Sequence, residues 1–369
     1  MKIHIFNPEH DIALAMHKDL FTAPHLVRQF RRDLGGIAAL WADDGDIVVV
    51  DDLQTAEESI RHLKKYAHNV QFVDFAGLQN LSAEEMQEVT ICPWGWDQTI
   101  GHELVEASEN IGLAVPSEDR MEMVRKMSNR SFAATYFLPI LKAVSPCCVG
   151  NSFYCATFEE LEFVVKRNGQ SVLKAPWSCS GRGVRYVLSE LDDHQAGWSR
   201  NIIVRQGGIM VEPYYNKVLD FGMEFEISED GQVNYCGLSL FHTKNGAYIG
   251  NVLATEGRKR EMLSKYISLH LVDEVCQVIV SVTQRFLCES YSGPFGIDMM
   301  IVTDGKEKGN LMLHPCVELN LRRTMGHVAL AVSPNEYQPE GIMRVVYENY
   351  RYRLRITQTK ENLINTDTV

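Results

Sequence analysis

The length, charge and composition of the chain exclude several classes of protein. Its 369 residues are 45% hydrophobic and 23% charged, with a net charge of −12 and a pI near 5.5, as expected for a globular protein of two or three packed units. This acidic balance argues against a nucleic-acid partner. No apolar run reaches the ~20 residues of a membrane span, and the N-terminus does not resemble a signal peptide. The nine scattered cysteines form no CxxC pair, so we expect a reduced, cytoplasmic protein without a disulfide framework or a zinc site.

The first 115 residues alternate short apolar runs with amphipathic segments. These patterns predict strands at 2–6, 46–51, 70–75 and 89–93, and helices at 26–34, 55–66 and 103–110. Strands that alternate with helices indicate a mostly parallel sheet. We therefore expect an N-terminal α/β domain over residues 1–115. No GxGxxG motif follows the first strand, so a dinucleotide site is not expected there.

The segment NPEHD follows the first predicted strand directly. Ligands bind at the carboxyl ends of the strands in open α/β sheets. Asn7, Glu9, His10 and Asp11 are therefore candidates for lining a pocket. An equally good interpretation is that Asn7 or Asp11 caps the helix that follows.

Residues 116–208 form a second predicted region, with helices at 121–137 and 157–167 and strands at 171–174 and 184–188. Arg130 lies in the first helix, and Lys174 ends the first strand before the loop SCSGRG. Glycines in this loop allow backbone N–H groups to approach phosphate oxygens, and Lys174 would add a positive charge. The alternative is an ordinary hairpin in which Lys174 extends to solvent.

Residues 209–330 predict an antiparallel sheet covered by a helix. The strands are expected at 209–215, 220–228, 233–242 and 247–254, and one long helix at 260–289. Residues 331–369 predict a C-terminal helix at 340–352 and a polar tail.

Two further strands, at 295–302 and 311–321, are separated by the polar turn TDGKEKGN. The first contains Asp298, and the second contains Glu318 and Asn320. Side chains two residues apart share a face of a strand, so pairing of the two strands can bring all three together. Hard oxygen donors of this kind suit Mg²⁺, which completes its shell with water and phosphate oxygens. The alternative is a solvated hairpin that happens to contain acids.

In this order, the motifs resemble the ATP-grasp superfamily over residues 116–330, and residues 1–115 resemble the α/β domain that precedes that fold. The resemblance implies an α+β fold of two subdomains, 116–208 and 209–330, that clasp a nucleotide. It also implies roles for individual residues: Arg130 and Lys174 on the phosphates, Ser178, Ser180, Gly181 and Gly183 in the Gly-rich lid, Glu212 at the adenine hinge, Asp220 on the ribose, and Asp298, Glu318 and Asn320 on the metal.

The chain departs from the amino-acid ligases of this superfamily at three places. Gly296 stands where an Arg is often found, Arg130 replaces the commoner Lys, and Pro213 follows Glu212 instead of a second acid. These differences concern the subfamily and the acceptor substrate.

The resemblance implies an ATP-dependent ligase that uses Mg²⁺, or Mn²⁺, and joins a small-molecule or peptide carboxylate to an amine through an acyl phosphate. Arg322 and Lys174 are the implied catalytic residues, and no nucleic-acid or membrane partner is expected. Candidates for the acceptor pocket are His10, Asp11, Asp97, Lys244, Asn251 and Arg323. Two other interpretations use the same residues: a nucleotide-binding regulatory protein without turnover, and a phosphotransferase that forms no amide.

Overall fold

A computed structural model describes residues 1–81, 89–108, 112–178, 183–244, 247–304 and 309–358. In chain order, the strands are β1 (Lys2–Ile5), β2 (Ile47–Val50), β3 (Gln71–Asp74), β4 (Thr90–Pro93), β5 (Phe153–Cys155), β6 (Ser171–Lys174), β7 (Val184–Val187), β8 (Ile209–Pro213), β9 (Asn216–Ile227), β10 (Val233–Lys244), β11 (Ala247–Leu253), β12 (Gly293–Thr303), β13 (Leu311–Asn320), β14 (Gly341–Glu348) and β15 (Arg351–Gln358).

The α-helices are α1 (His10–Met16), α2 (His25–Leu34), α3 (Leu53–Ile60), α4 (Phe75–Leu78), α5 (Gln98–Ala107), α6 (Glu118–Met127), α7 (Arg130–Phe132), α8 (Leu138–Lys142), α9 (Phe158–Asn168), α10 (Asp193–Gln206), α11 (Glu256–Ser264), α12 (Leu269–Phe286) and α13 (Met325–Ala331). Two 3₁₀ segments, Gly35–Leu40 and Arg61–Leu63, extend α2 and α3, and a π-helical turn covers Ala133–Phe137.

The first compact unit comprises the described parts of Met1–Arg125, Gly250–Thr255 and Arg322–Leu363. Its parallel sheet has the strand order β3-β2-β1-β4, as the alternation of strands and helices predicts.

Both faces of this parallel sheet are buried. Ile47 and Val49 of β2 pack in one apolar cluster, and Val48 and Val50 pack in another with Ala38. Successive residues of a strand point to opposite faces, so each face has its own core. Burial on both faces explains why β2 is a continuous apolar run.

The predicted C-terminal helix at 340–352 is wrong, because β14 and β15 form an antiparallel hairpin there. The hairpin pairs with residues 251–253 of β11. Asn349 and Tyr350, at φ values of 51° and 61°, make the two-residue turn, a geometry that matches strand twist. The apolar residues on either side recur with period two, which favours a strand over a helix.

The second unit comprises, within the described residues, Lys126–Ile249 and Glu256–Leu321. Its larger sheet is antiparallel, with the order β13-β12-β9-β10. Phe225 of β9 and Phe295 of β12 stack with ring centroids 5.0 Å apart, and helix α12 packs against β10. A smaller sheet, β5-β8-β6-β7, is covered by α9 and α10.

Two predicted helices are interrupted in the structure. The one predicted at 121–137 breaks after α6, because Asn129 caps a new helix by accepting from the Ser131 N–H at 2.9 Å. The long helix predicted at 260–289 is two helices, α11 and α12, bent by 119° at the break. Ser268, in extended conformation, begins α12. An apolar pattern that continues across the break hides it in the sequence.

Within the described residues, no single helix is long and apolar enough to cross a membrane. The bent pair α11 and α12 passes that test together, by length and composition alone.

Candidate functional site

The predicted acid set lies on one face of the larger sheet of the second unit. Asp298 on β12 is directly opposite Glu318 on β13, and Gly296 is opposite Asn320. Directly opposed residues of antiparallel strands place their side chains on the same face. Asn320 Nδ2 also donates to Asp298 Oδ2 at 3.3 Å. The pairing predicted for these strands is confirmed, although residues 305–308 of the predicted turn lie outside the described ranges.

Arg130 links this acid face to the loop that follows β6. Its Nη2 donates to Glu318 Oε1 at 2.6 Å, while its Nη1 donates to the Ala175 carbonyl at 2.6 Å and to Ser178 Oγ at 2.8 Å. The Arg130 side chain is only 9% exposed. Because α6 ends at Met127 and Asn129 caps the helix that follows, Arg130 begins a new helix instead of lying within one. The helix break that the sequence pattern missed therefore positions this cation.

Lys174 ends β6 and is paired with Glu212 of β8. Lys174 Nζ lies 2.6 Å from Glu212 Oε2, and Ser152 Oγ donates to Glu212 Oε1 at 3.1 Å. Both charged side chains are about nine-tenths buried, at 11% and 7% exposure. Each charge in so deeply buried a pair compensates the desolvation cost of the other, so removal of one leaves the other buried and uncompensated. Lys174 is thus not a solvent-exposed lysine on an ordinary hairpin.

The predicted Gly-rich lid is described only at its two ends. Ser178 accepts from Arg130, as above, and a Cβ added at Gly183 would lie 2.2 Å from Ser178 Oγ. Only glycine fits this close approach. Ser180 and Gly181, which the resemblance assigns to the same lid, lie outside the described residues.

Asp220, the predicted ribose contact, lies on the acid face but already has two local partners. Gly222 is opposite Asp298 in the β9–β12 pairing, and Asp220 is two residues from Gly222 on the same strand. Asp220 Oδ2 accepts from Lys217 Nζ at 2.5 Å and from Thr243 Oγ1 at 2.5 Å. A ribose hydroxyl would have to share or replace these donors.

Sequence reasoning missed Glu224, a further buried acid on this face. It is 3% exposed, and a Cβ added at Gly222 would lie 3.4 Å from Glu224 Oε1 and 3.5 Å from Asp298 Oδ1. The signal was available, because Asp220, Gly222 and Glu224 follow one another with period two. The acid face therefore extends across β9 as well as β12 and β13.

His314 and Cys316, also not predicted, are buried near the same charges. Burial raises the pKa of the Cys316 thiol, and the carboxylates of Glu212 and Asp298 raise it further. His314 is 1% exposed, and neither ring nitrogen has a hydrogen-bond partner among the described residues. Burial lowers the pKa of His314 to about 4. Its ring lies 5.4 Å from the ring of Tyr215, edge to face, and it is neutral at pH 7.

Asp298, Glu318 and Asn320 are a donor set that fits Mg²⁺ bound together with a nucleotide. They do not resemble a site in which the protein supplies every ligand of the metal. No three His, Cys, Asp or Glu side chains converge as a metal centre in the part of the chain that the structure describes. Two carboxylates and one amide would leave positions for water and phosphate oxygens, which is how Mg²⁺ usually binds beside a nucleotide.

In the first unit, the NPEHD segment forms a buried network at the end of β1. Asn7 Nδ2 donates to the Gly95 carbonyl at 2.8 Å, and Asp97 Oδ2 lies 3.2 Å from both Asn7 Nδ2 and His10 Nδ1. Glu9 is the N-cap residue of α1 but makes no side-chain cap. The prediction that Asn7 or Asp11 caps this helix is therefore wrong.

Arg322, predicted to be catalytic, is bound by Asp11 within the first unit. Its Nη2 donates to Asp11 Oδ2 at 2.9 Å and its Nε to Asp11 Oδ1 at 3.2 Å, a two-pronged arrangement that fixes the guanidinium plane. The neighbouring Arg323 lies over the Trp41 ring, 5.1 Å from its centroid. The catalytic role of Arg322 stays a prediction.

The predicted acceptor residues are divided between the two units. In the first unit, His10, Asp97 and Asp11 belong to the contacts above, and Asn251 is buried on β11 at 1% exposure. Lys244 belongs to the second unit, and its side chain lies outside the described part of the structure. Their assignment to a substrate pocket stays a prediction.

No protein-family model matches the chain, and no curated protein matches it. Solved structures do match the chain. The crystal structure of a "putative ATP-grasp superfamily protein" from Archaeoglobus fulgidus is 12% identical, with a TM-score of 0.50 over 98% of this chain and 100% of that one. Biotin carboxylase from Campylobacter jejuni, solved as its β-γ-ATP complex, is 15% identical, with a TM-score of 0.50 over 94% of this chain and 76% of that one. At such identities the likeness concerns the fold alone.

Proposed function

We propose, from the ATP-grasp fold that this chain has, that its second unit binds ATP with Mg²⁺ and activates a carboxylate for attack by an amine. The observation that carries the proposal is Arg130, whose one guanidinium contacts both Ser178 of the predicted lid and Glu318 of the predicted metal set. A cation shared between a phosphate loop and a metal-binding acid is where the β- and γ-phosphates of a nucleotide need charge compensation.

Binding of the nucleotide would use groups that are now paired with one another. Arg130 and Lys174 would contact phosphate oxygens, and Glu212 would accept from the adenine amino group. Asp220 would accept from a ribose hydroxyl. The nucleotide would in this way replace part of the ion pairing of Lys174 with Glu212 and of Arg130 with Glu318, and its phosphates would become the anionic partners of the two cations.

Mg²⁺ held by Asp298, Glu318 and Asn320 would neutralise charge on the β,γ-phosphates and so make the γ-phosphorus accessible to an anion. These three side chains share one face, and Asn320 is in hydrogen-bond contact with Asp298, so one ion bound on that face would be within reach of all three. Glu224, on the same face, adds negative charge that favours a cation there.

The reaction then needs position and charge more than a protein nucleophile. A carboxylate oxygen of the substrate would attack the γ-phosphorus, the bond from that phosphorus to the β,γ-bridging oxygen would break, and ADP would leave. An amine nitrogen would then attack the acyl carbon of the acyl phosphate. Phosphate would leave with the bond electrons, and the nitrogen would lose one proton to give an amide.

The first test is binding. We expect ATP with Mg²⁺ to raise the melting temperature, because a ligand at a hundredfold excess over its dissociation constant adds about 2.7 kcal/mol to the free energy of unfolding. ATP alone should raise the melting temperature less. No shift at millimolar Mg-ATP would contradict the proposal.

The second test is chemistry. ADP and phosphate should appear with pooled carboxylates and amines, and hydroxylamine should intercept the acyl phosphate as a hydroxamate. A stable phosphomonoester in place of the hydroxamate would show a phosphotransferase. Tight Mg-ATP binding without ADP formation from any pool would favour a regulatory nucleotide-binding protein.

A further inference from the structure

A cleft of ≈ 730 Å³ opens in the first unit, and the proposed nucleotide site does not account for it. Its lining includes residues that follow the carboxyl ends of three neighbouring parallel strands: Glu9 after β1, Asp51 after β2 and Phe75 after β3. Helix α2 contributes Arg31, and helix α5 contributes Glu103. This edge of an open α/β sheet is where such folds bind ligands, and the volume is that of a small-molecule pocket.

At this cleft, one guanidinium is surrounded by three carboxylates. Arg31 Nη1 lies 2.5 Å from Glu9 Oε1, Nε lies 3.2 Å from Asp51 Oδ1, and Nη2 lies 2.9 Å from Glu103 Oε2. Three carboxylates against one guanidinium leave two negative charges in excess. Burial lowers the pKa of Arg31, but the three carboxylates outweigh it and raise the pKa, so the guanidinium is always charged. Arg28 and Arg32 also line this cleft but are exposed on α2, so around Arg31 itself the excess of carboxylate is met by solvent, by a proton or by a bound cation.

The second observation is an acceptor without a donor. Glu9 has 7% of its side chain exposed, and its Oε2 is buried without a hydrogen-bond partner among the described residues. Burial raises the pKa of Glu9, and the neighbouring Arg31 only partly opposes that rise. A purely structural ion-pair centre would satisfy both oxygens, because a buried unpaired oxygen is costly. Glu9 instead has an unpartnered oxygen that is buried beside a cleft which the same residue helps to line.

We propose that this cleft binds a small amine that also has an acidic group, the chemistry of an amino acid. A protonated amine has three N–H donors and one positive charge, which matches the free oxygen of Glu9 and the excess of carboxylate. The other end of the ligand would meet Arg28 and Arg32, both exposed on α2 and both lining the cleft. Arg32 is 3.8 Å from its nearest acid, Asp33, so it can turn to a ligand carboxylate. The proposal does not depend on nucleotide binding.

The probes are the standard L-amino acids, each compared with the carboxylic acid that lacks its amine, measured by calorimetry at neutral pH without ATP or Mg²⁺. We expect at least one amino acid to bind and its amine-free analogue to bind at least tenfold more weakly. If no amino acid in the panel binds at millimolar concentration, or if the amine-free acids bind as well, the proposal is overturned.

The variant Glu9→Gln keeps the shape of the side chain and removes its charge. It should weaken amino-acid binding at least tenfold, and the matched control Glu57→Gln, exposed on α3 of the same unit, should leave binding unchanged. Without ligand, Glu9→Gln should melt no lower than the natural chain, because it relieves an excess of negative charge. A lower melting temperature together with unchanged ligand affinity would assign Glu9 to structure alone and overturn the proposal. If Glu9→Gln does not fold, Glu103→Gln, with 35% of its side chain exposed, gives the same comparison.

Discussion

The Arg130 guanidinium donates to the Glu318 carboxylate at 2.6 Å across 188 residues of sequence. This ion pair brings the helix that starts at Arg130 to the strand that contains the predicted metal ligands. Its partners are 9% and 26% exposed, so it is neither a surface pair nor a fully buried one. Two consequences can be measured, one for the metal and one for stability.

Glu318→Gln should reduce the effect of Mg²⁺ on ATP affinity far more than it reduces stability. The variant keeps an acceptor for Arg130 and removes the charge that a metal needs. We expect the gain in ATP affinity on adding Mg²⁺ to fall by about 10- to 100-fold, the range of losses in metal affinity when groups that support a metal site are changed, and the free energy of unfolding to fall by about 1 kcal/mol. Calorimetry with and without Mg²⁺ and urea unfolding measure the two. An unchanged Mg²⁺ dependence would remove Glu318 from the metal site.

Lys174→Met should destabilise the fold as well as weaken nucleotide binding. It leaves Glu212, 5% exposed, with the Ser152 hydroxyl as a donor but without its ion-pair partner, and breaking a buried pair on one side costs about 3 kcal/mol. The double variant Lys174→Met, Glu212→Gln should recover most of that stability but not the ATP affinity. Lys166→Met, on an exposed position of α9, is the matched control. If the double variant is no more stable than the single one, the pairing does not explain the loss.

Gly95→Ala tests whether the NPEHD network requires close backbone approach. A Cβ at Gly95 would lie 2.7 Å from the His10 ring, so one of the two must move, and overpacking of this kind costs about 1–3 kcal/mol. Gly257→Ala has open space around the added Cβ and lies in helix α11, where alanine is favoured over glycine by about 1 kcal/mol. Urea unfolding should therefore move in opposite directions for the two variants. If Gly95→Ala is as stable as the natural chain, the His10 ring can move away from the added Cβ without loss of stability, and the network does not require the close approach.

Much of the fold could be predicted because its signals are local. The parallel strands of the first unit are apolar runs bounded by polar residues, and the pairing of Asp298 with Glu318 followed from alternation along two strands. The resemblance to ATP-grasp proteins is confirmed for the fold. What failed has local signals too, but they are weaker than apolar periodicity. Helix α10 has little apolar periodicity and is marked mainly by its capping box, in which Asp192 Oδ1 accepts from the Gln195 N–H. The hairpin of β14 and β15 is wrongly predicted as a helix because its turn, Asn349 and Tyr350 in left-handed conformation, lacks the glycine that usually marks a two-residue turn.

The site was predictable by residue type but not by partner. Lys174 and Arg130 were expected to bind phosphate, yet each has an acid partner in the structure, and no sequence pattern indicates which acid. The sequence does not single out His314 and indicates Glu9 only as one of four pocket candidates after the first strand, because what distinguishes both residues is an unpartnered buried atom. That property exists only once the chain is folded.

His314 should make the protein less stable as the pH falls from about 6.5 to about 4. Burial lowers the pKa of this histidine to about 4, with Glu212 raising it and Lys174 lowering it in turn, whereas in the unfolded chain it titrates near 6.5. Between these values the unfolded state binds a proton that the folded state does not, so the free energy of unfolding falls with pH and levels off below the folded pKa. The difference of roughly 2.5 pKa units corresponds to about 3 kcal/mol.

Urea unfolding without nucleotide over this pH range measures the effect. His4, whose pKa burial also lowers, contributes to the same slope, so the informative quantity is the difference between the natural chain and His314→Leu. The variant should be close to the natural chain at pH 7, because both ring nitrogens lack partners among the described residues, and should lose about 3 kcal/mol less on acidification. The control His270→Gln, with 81% of its side chain exposed, should follow the natural chain at every pH. If His314→Leu shows the same loss as the natural chain, His314 is protonated in the fold and has a partner that this conformation does not contain.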